Sequence, residues 1–159
     1  MAGDPVVRTS AGGSPFGIRF GHDGVVVISK AAGSASSYRS GDGDTLEIIS
    51  CAVNDTQKAS CWISLTRAAS YAYLSNTGSG TLSSFQVGSN GELTLASANP
   101  GGTPIDSSLI DSSLSHDSRF LYVLDSGQGR VEFFAADGAS LTPLGSVSLP
   151  TRIQGIAAQ

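Results

Sequence analysis

The sequence predicts an all-β fold built from a repeated unit of four antiparallel strands. Three observations predict it. Short runs rich in β-branched and aromatic residues alternate with Gly, Ser, Asp and Asn at turn spacing, and apolar residues nowhere recur at three and four over a dozen positions. The stretch YAYLSNTGSGTLSSFQVGSNGELTL (71–95) is echoed by FLYVLDSGQGRVEFFAADGASLTPL (120–144), and both by VVVISKAAGSASSYRSGDGDTLEII (25–49). The copies begin at Val25, Tyr71 and Phe120, a period of roughly 46 to 49 residues, which lies among those of propeller blades.

Each copy is introduced by a further short strand and turn: PFGIRFGHDG (15–24), CWISLTRAAS (61–70) and DSSLSHDSR (111–119). The repeat is therefore an opening strand, a Tyr-x-Tyr-type strand, a Ser-Ser-aromatic strand, and a fourth strand of the LEIIS, LTLAS or LTPLG kind. The third and fourth strands are joined by DGDT (42–45), SNGE (89–92) and ADGA (136–139), in which Asn-Gly or Asp-Gly takes positive φ at little cost. Asp42 and Asp44 suggest a calcium loop only in isolation, since the remaining oxygen ligands are missing. In IDSSLIDSSL (105–114) a five-residue phrase is doubled, and either copy suits the inner strand, the other extending the connection before it.

The boundaries that follow are an outer strand of a preceding blade (1–13), three blades (14–53, 54–100 and 101–150) and the inner strand of a following blade (151–159). All of it forms one partial propeller domain. A ring needs at least four blades, and three leave two blade faces open. The expectation is either the C-terminal half of a larger propeller or a ring completed by self-association.

Composition excludes several functions. Net charge is −4, charged residues make up 14% of the chain, and Lys30 and Lys58 are its only lysines, which argues against a nucleic-acid partner. No apolar run approaches the length of a membrane span. MAGDPVVRTS has neither a basic nor an apolar signal region, so the expected compartment is cytoplasmic, or extracytoplasmic if the chain is N-terminally truncated. Cys51 and Cys61 read as two buried thiols rather than a bridge. The two Cys and two His do not fall at zinc spacing, and no metal is expected. No G-x-S-x-G elbow is present among the many serines.

SPFGIRFGHDG, YAYLSNTGSGTLSSFQVGSNGELTL, SHDSRFLYVLDSGQGRVEFF and LPTRIQGIAAQ together resemble the lactonase family of seven-bladed propellers, of the 6-phosphogluconolactonase and carboxymuconate-lactonising type. The resemblance covers nearly the whole chain and less than half of a family member. YLSN is also similar to the tyrosine–valine–threonine–asparagine repeats of surface propellers that need not be enzymes. The family resemblance implies hydrolysis of a small-molecule lactone without an organic cofactor, through His, Arg and Glu side chains at one end of the central channel. A non-catalytic interaction module is the alternative.

Aligned on the repeats, the inner-strand positions hold Ile18, Ser64 and Ser113, and no His-Arg-Glu cluster is matched. His22 and His116 fall in the turn after the inner strand, where the middle copy has Arg67 and Ala68, and are expected on the rim opposite the usual mouth. At the mouth the candidates for catalysis are Arg19, to hold a carboxylate or phosphate, and Asp106 and Asp111 as bases. Phe16, Trp62, Lys30, Asn76 and Asp125 are candidates for binding substrate. Trp62 either walls a pocket or packs between blades, and Asn76 and Asp125 fit loop caps equally well.

Overall fold

The computed structural model describes residues 4–42, 45–150 and 153–158. Twelve strands form three four-stranded antiparallel sheets, each in chain order. The first contains β1 (Pro15–Phe20), β2 (Val25–Lys30), β3 (Ser34–Ser40) and β4 (Leu46–Asn54). The second contains β5 (Ser60–Leu65), β6 (Tyr71–Asn76), β7 (Thr81–Val87) and β8 (Leu93–Ser97). The third contains β9 (Leu109–Leu114), β10 (Phe120–Asp125), β11 (Arg130–Asp137) and β12 (Ser140–Ser148). The doubled phrase is resolved in favour of its second copy, which supplies β9, while Ile105–Ser108 remain in the connection.

The sheets stack face to face, and the middle one is covered on both sides. Successive side chains of a strand point to opposite faces, so on β6 Ala72 and Leu74 join Ile63, Phe85, Val87 and Leu93 against Val25, Val27 and Ala35 of the first blade. Tyr73, between them, turns the other way and packs with Leu82 against Leu109, Leu121, Val123, Phe134 and Leu141 of the third. A strand buried on both faces cannot alternate apolar with polar, which is why YAYL reads as a continuous apolar run.

Small hydroxyls fit between the blades where large side chains do not. Ser29 Oγ accepts from Gly17 N at 2.9 Å and donates to the carbonyl of Cys61. Ser64 Oγ meets Ser112 Oγ at 2.9 Å, Ser84 Oγ donates to Ala139 O at 2.8 Å, and Tyr73 OH donates to Gly138 O at 2.6 Å. Gly17 marks the tightest approach of β1 to β5: a Cβ there would stand 2.7 Å from Cys61 O and 2.9 Å from Ser29 Oγ. The abundance of serine, read from the sequence without a role, is in large part this lacing.

The chain ends behave differently from a plain repeat. Residues 4–14 form no strand; instead Ala11 packs on Tyr38, its N–H donating to the phenol oxygen at 2.9 Å, and Ser36 Oγ donates to Ala11 O at 3.0 Å. An outer strand has to pair with a third strand, and every third strand of the chain already has its own fourth. Residues 153–158 run beside β9, where Ile156 N donates to Asp111 Oδ2 at 3.3 Å and Ala158 N to Ser113 Oγ at 3.0 Å. Both outer faces keep exposed apolar groups: Ile18, Phe20 and Ile48 on the first blade and Val147 on the third. Of the two thiols only Cys61 is buried; Cys51 lies exposed on β4, the outermost strand of its sheet, so the expectation of two buried thiols fails for it. The turn expected at 42–45 falls partly outside the described residues, while Gly91 and Gly138 carry the positive φ expected of the other two.

Phe85 is fully buried at the first blade interface. Phe85→Ala is expected to destabilise the fold by about 3–5 kcal/mol, read as a lower midpoint in chemical denaturation at unchanged slope. Burial raises the Tyr73 phenol to about 12, with the negative charges of Tyr71 and Asp137 adding to the effect. The unfolded chain releases that proton near the ordinary value of 10, so stability is intact below pH 10 and declines as pH rises toward about 12. Denaturation series at stepped alkaline pH are expected to show this decline in the native chain and a shallower one in Tyr73→Phe.

Candidate functional site

The last residues of β2, β6 and β10 are Lys30, Asn76 and Asp125, equivalent in the three blades and all buried. Each closes a polar node. Asp125 Oδ1 accepts from the N–H groups of Ser108, Gly127 and Gln128 at 2.9, 3.1 and 3.1 Å, tying the β10–β11 turn to the connection before β9. Asn76 Nδ2 donates to Ser83 Oγ at 2.7 Å and Thr81 Oγ1 at 3.2 Å. Lys30 donates to Ser10 Oγ and, at 3.2 Å, to Tyr38 OH, with its ammonium 5.5 Å from the centre of that ring. Burial raises the Tyr38 phenol, but its bonds with Ser10, Lys30 and Ala11 and the Lys30 charge outweigh this, and the net shift is downward.

Two carboxylates in these nodes were not singled out in the sequence. Asp55, fully buried before β5, accepts from Gln57 N at 2.9 Å and Ser60 Oγ at 2.7 Å. Glu132 on β11 stands where β7 has Ser83, and Arg130 Nε lies 2.5 Å from its Oε1 and 3.9 Å from Asp125 Oδ2. These are charge contacts without an aligned hydrogen bond. Asp55 is five residues before its strand, outside the matched phrases; only the pairing of a loop Asp with a downstream Ser pointed to it.

At the end of the channel where the inner strands begin, Phe16 and Trp62 meet edge to face with ring centroids 4.9 Å apart, so Trp62 does pack across a blade boundary. Asp106 is exposed in the loop before β9 and adopts positive φ. Asp111 is half-buried, its two oxygens taken by the N–H groups of Ser112 and Ile156.

Arg19 is not with them. The turn after β1 is one residue shorter than its counterparts: five residues join the paired Phe20 and Val26, where six join Leu65 to Ala72 and Leu114 to Leu121. Ile18 pairs with Ile28, as Ile63 pairs with Leu74 and Ser112 with Val123. Arg19, not Ile18, is therefore level with Ser64 and Ser113, which corrects the alignment made from the repeats. One turn further on, His22, Arg67 and His116 become equivalent. This is legible in the triplets FGH, LTR and LSH once the shorter turn is allowed.

These two rings bound a cavity of about 220 Å³ at the end of the channel opposite Phe16 and Trp62, lined by Arg19, Ser64, Arg67, Ser113, His116 and Ser118 among others. The turns around it are laced in series. His22 Nε2 donates to Arg67 O at 2.9 Å, Arg67 N donates to Ser118 Oγ at 2.9 Å, and Arg67 Nη1 donates to the His116 ring, 2.5 Å from Nε2. Ala69 and Ser118 take positive φ at equivalent places in those turns. Beside them Asp117 is held below the usual carboxylate range, first by the Ser115 hydroxyl and then by the Arg119 N–H.

No family model matches the chain, and no curated protein matches it. Solved structures do. A Bacteroides uniformis protein provisionally described as a 6-phosphogluconolactonase aligns at TM-score 0.69 and 16% identity over 85% of this chain and 43% of its own. The periplasmic gluconolactonase PpgL of Pseudomonas aeruginosa aligns at TM-score 0.63 and 16% identity over 89% of this chain and 44% of its own. The β-propeller domain of Cps50 (Swd1) from Myceliophteria thermophila aligns at TM-score 0.65 and 11% identity over 91% and 46%. The fold is thus that of a β-propeller, of which this chain forms about three blades. It is similar to lactonase-type propellers and spans less than half the length of each of these three chains.

Removing the Asp125 carboxylate leaves three amide donors short of an acceptor in a buried turn. Asp125→Ala is expected to lower stability by about 2–4 kcal/mol in equilibrium denaturation, with Asp125→Asn losing less because one carbonyl oxygen remains.

Proposed function

We propose that this chain contributes about three blades to a lactonase-type propeller whose complete ring opens a sugar-type lactone of the 6-phosphogluconolactone kind. The observation that carries the reading is the alignment of nearly the whole chain with a gluconolactonase propeller, together with the blade motifs already resembling that family. Ring opening requires a base to activate water and a donor to hold the carbonyl oxygen as charge develops on it. Arg19, Asp106 and Asp111 divide between opposite ends of the channel, so blades outside this chain supply the missing partners. Phe16 and Trp62 form an apolar wall at one mouth, and Lys30, Asn76 and Asp125 act from behind it by fixing the loops. The ring is completed by further blades or by a second copy.

The rival reading, a non-catalytic interaction module, draws on the same fold in the Cps50 domain. Light scattering after size exclusion, followed by acid release from glucono-lactone in a pH-stat, separates the two. A closed dimer near twice 16.1 kDa is expected to open the lactone faster than its spontaneous hydrolysis. A closed assembly that leaves the spontaneous rate unchanged would overturn the hydrolase in favour of the module.

A further inference from the structure

We infer that the cavity ringed by Arg19, Arg67 and His116 is a binding site for a small oxyanion, a carboxylate or a phosphate ester. It is separate from the mouth walled by Phe16 and Trp62. The three side chains come from three successive blades, one from the inner strand β1 and two from the turns after β5 and β9. No carboxylate lines the cavity, although the chain as a whole has net charge −4. Among the described residues the salt bridges are both made by Arg130, so neither Arg19 nor Arg67 has an acidic partner.

The donors left over define the ligand. Arg19 Nη1 is spent on the carbonyl of Ile18 at 2.9 Å, and Arg67 Nη1 on His116. Nε and Nη2 of both guanidiniums have no acceptor among the described residues, and these are the adjacent donors of the planar fork that takes two oxygens of a carboxylate or phosphate. Ser113 and Ser118 line the same space and only accept from backbone N–H groups, so their hydroxyls add neutral donors, whereas Ser115 gives its proton to Asp117. His116 accepts from Arg67, so an anion that draws this guanidinium toward itself changes the surroundings of the ring. The cavity is assigned binding, not turnover. Its volume of about 220 Å³ suits a ligand of a few heavy atoms beyond the anionic group.

The test is a titration of the intact chain with inorganic phosphate, and separately with gluconate, followed by the His116 ring signals in NMR and by calorimetry. Saturable shifts of His116 are expected with at least one of the two anions, and which one binds tells a phosphate site from a carboxylate site. Arg67→Gln and Arg19→Gln are each expected to weaken binding roughly tenfold while leaving the melting temperature near that of the parent, since both side chains are exposed. Two results would overturn the inference. One is a drift of His116 that chloride reproduces at equal ionic strength; the other is binding that survives both substitutions. This test does not depend on lactone turnover, so it stands or falls apart from the hydrolase reading.

Discussion

Face-to-face burial of one sheet by the next is the constraint on which everything else depends. A blade of this chain is apolar on both sides, so it is not a folding unit until it has a neighbour. The middle blade satisfies that requirement twice, through Ile63, Leu74 and Phe85 on one side and Tyr73 and Leu82 on the other. Burying residues of the Phe85 and Leu74 class contributes roughly 1.5–3 kcal/mol each, several times the net contribution of a single hydroxyl bond. The serine contacts therefore set the spacing and angle of the blades more than they set their stability. Because the sheets must stack, their inner strands must converge, and the two ends of that convergence are where chemistry is available.

Much of this was readable from the amino acids. Turn residues at fixed offsets and a repeated phrase are local, and local signals survive translation into structure; the strands, their order and the hairpins at 89–92 and 136–139 follow from them. What escaped was whatever depended on the neighbour. Arg19 was placed at the wrong end because an ungapped comparison of repeats does not see that the turn after β1 is one residue shorter than the other two. Asp55 lies in a connection with no repeated phrase, and its partners Ser60 and Ser83 become visible only when two strands close over it. Cys51 was expected inside because thiols usually are, but the fourth strand is an outer edge with little to cover it.

The equivalent positions Lys30, Asn76 and Asp125 show how one architectural place tolerates three chemistries. A cation, an amide and a carboxylate all end the second strand, each buried, and each bonded to different neighbours: a phenol and a serine in the first blade, two hydroxyls in the second, three backbone amides in the third. Asn76 Oδ1 and Asp125 Oδ2 are left without a hydrogen bond among the described residues. What is kept is the closure of the turn, not the charge that closes it. Residues that are polar, recurrent and near a mouth thus hold the scaffold's turns in place, whatever else they do. The cationic ring at the other end is the opposite case, since among the described residues its arginines meet no carboxylate.

The shorter turn after β1 carries a wider implication. All three inner strands hold one extra residue near their start, and their pairing with the next strand runs at the same levels. The one-residue difference in length is taken up wholly in the turn, outside the sheet. The rim of the stack is thus where a copy can gain or lose a residue while strand register and blade contacts stay as they are. In a molecule made of copies, that lets the edge of each copy diverge while the repeat itself is preserved.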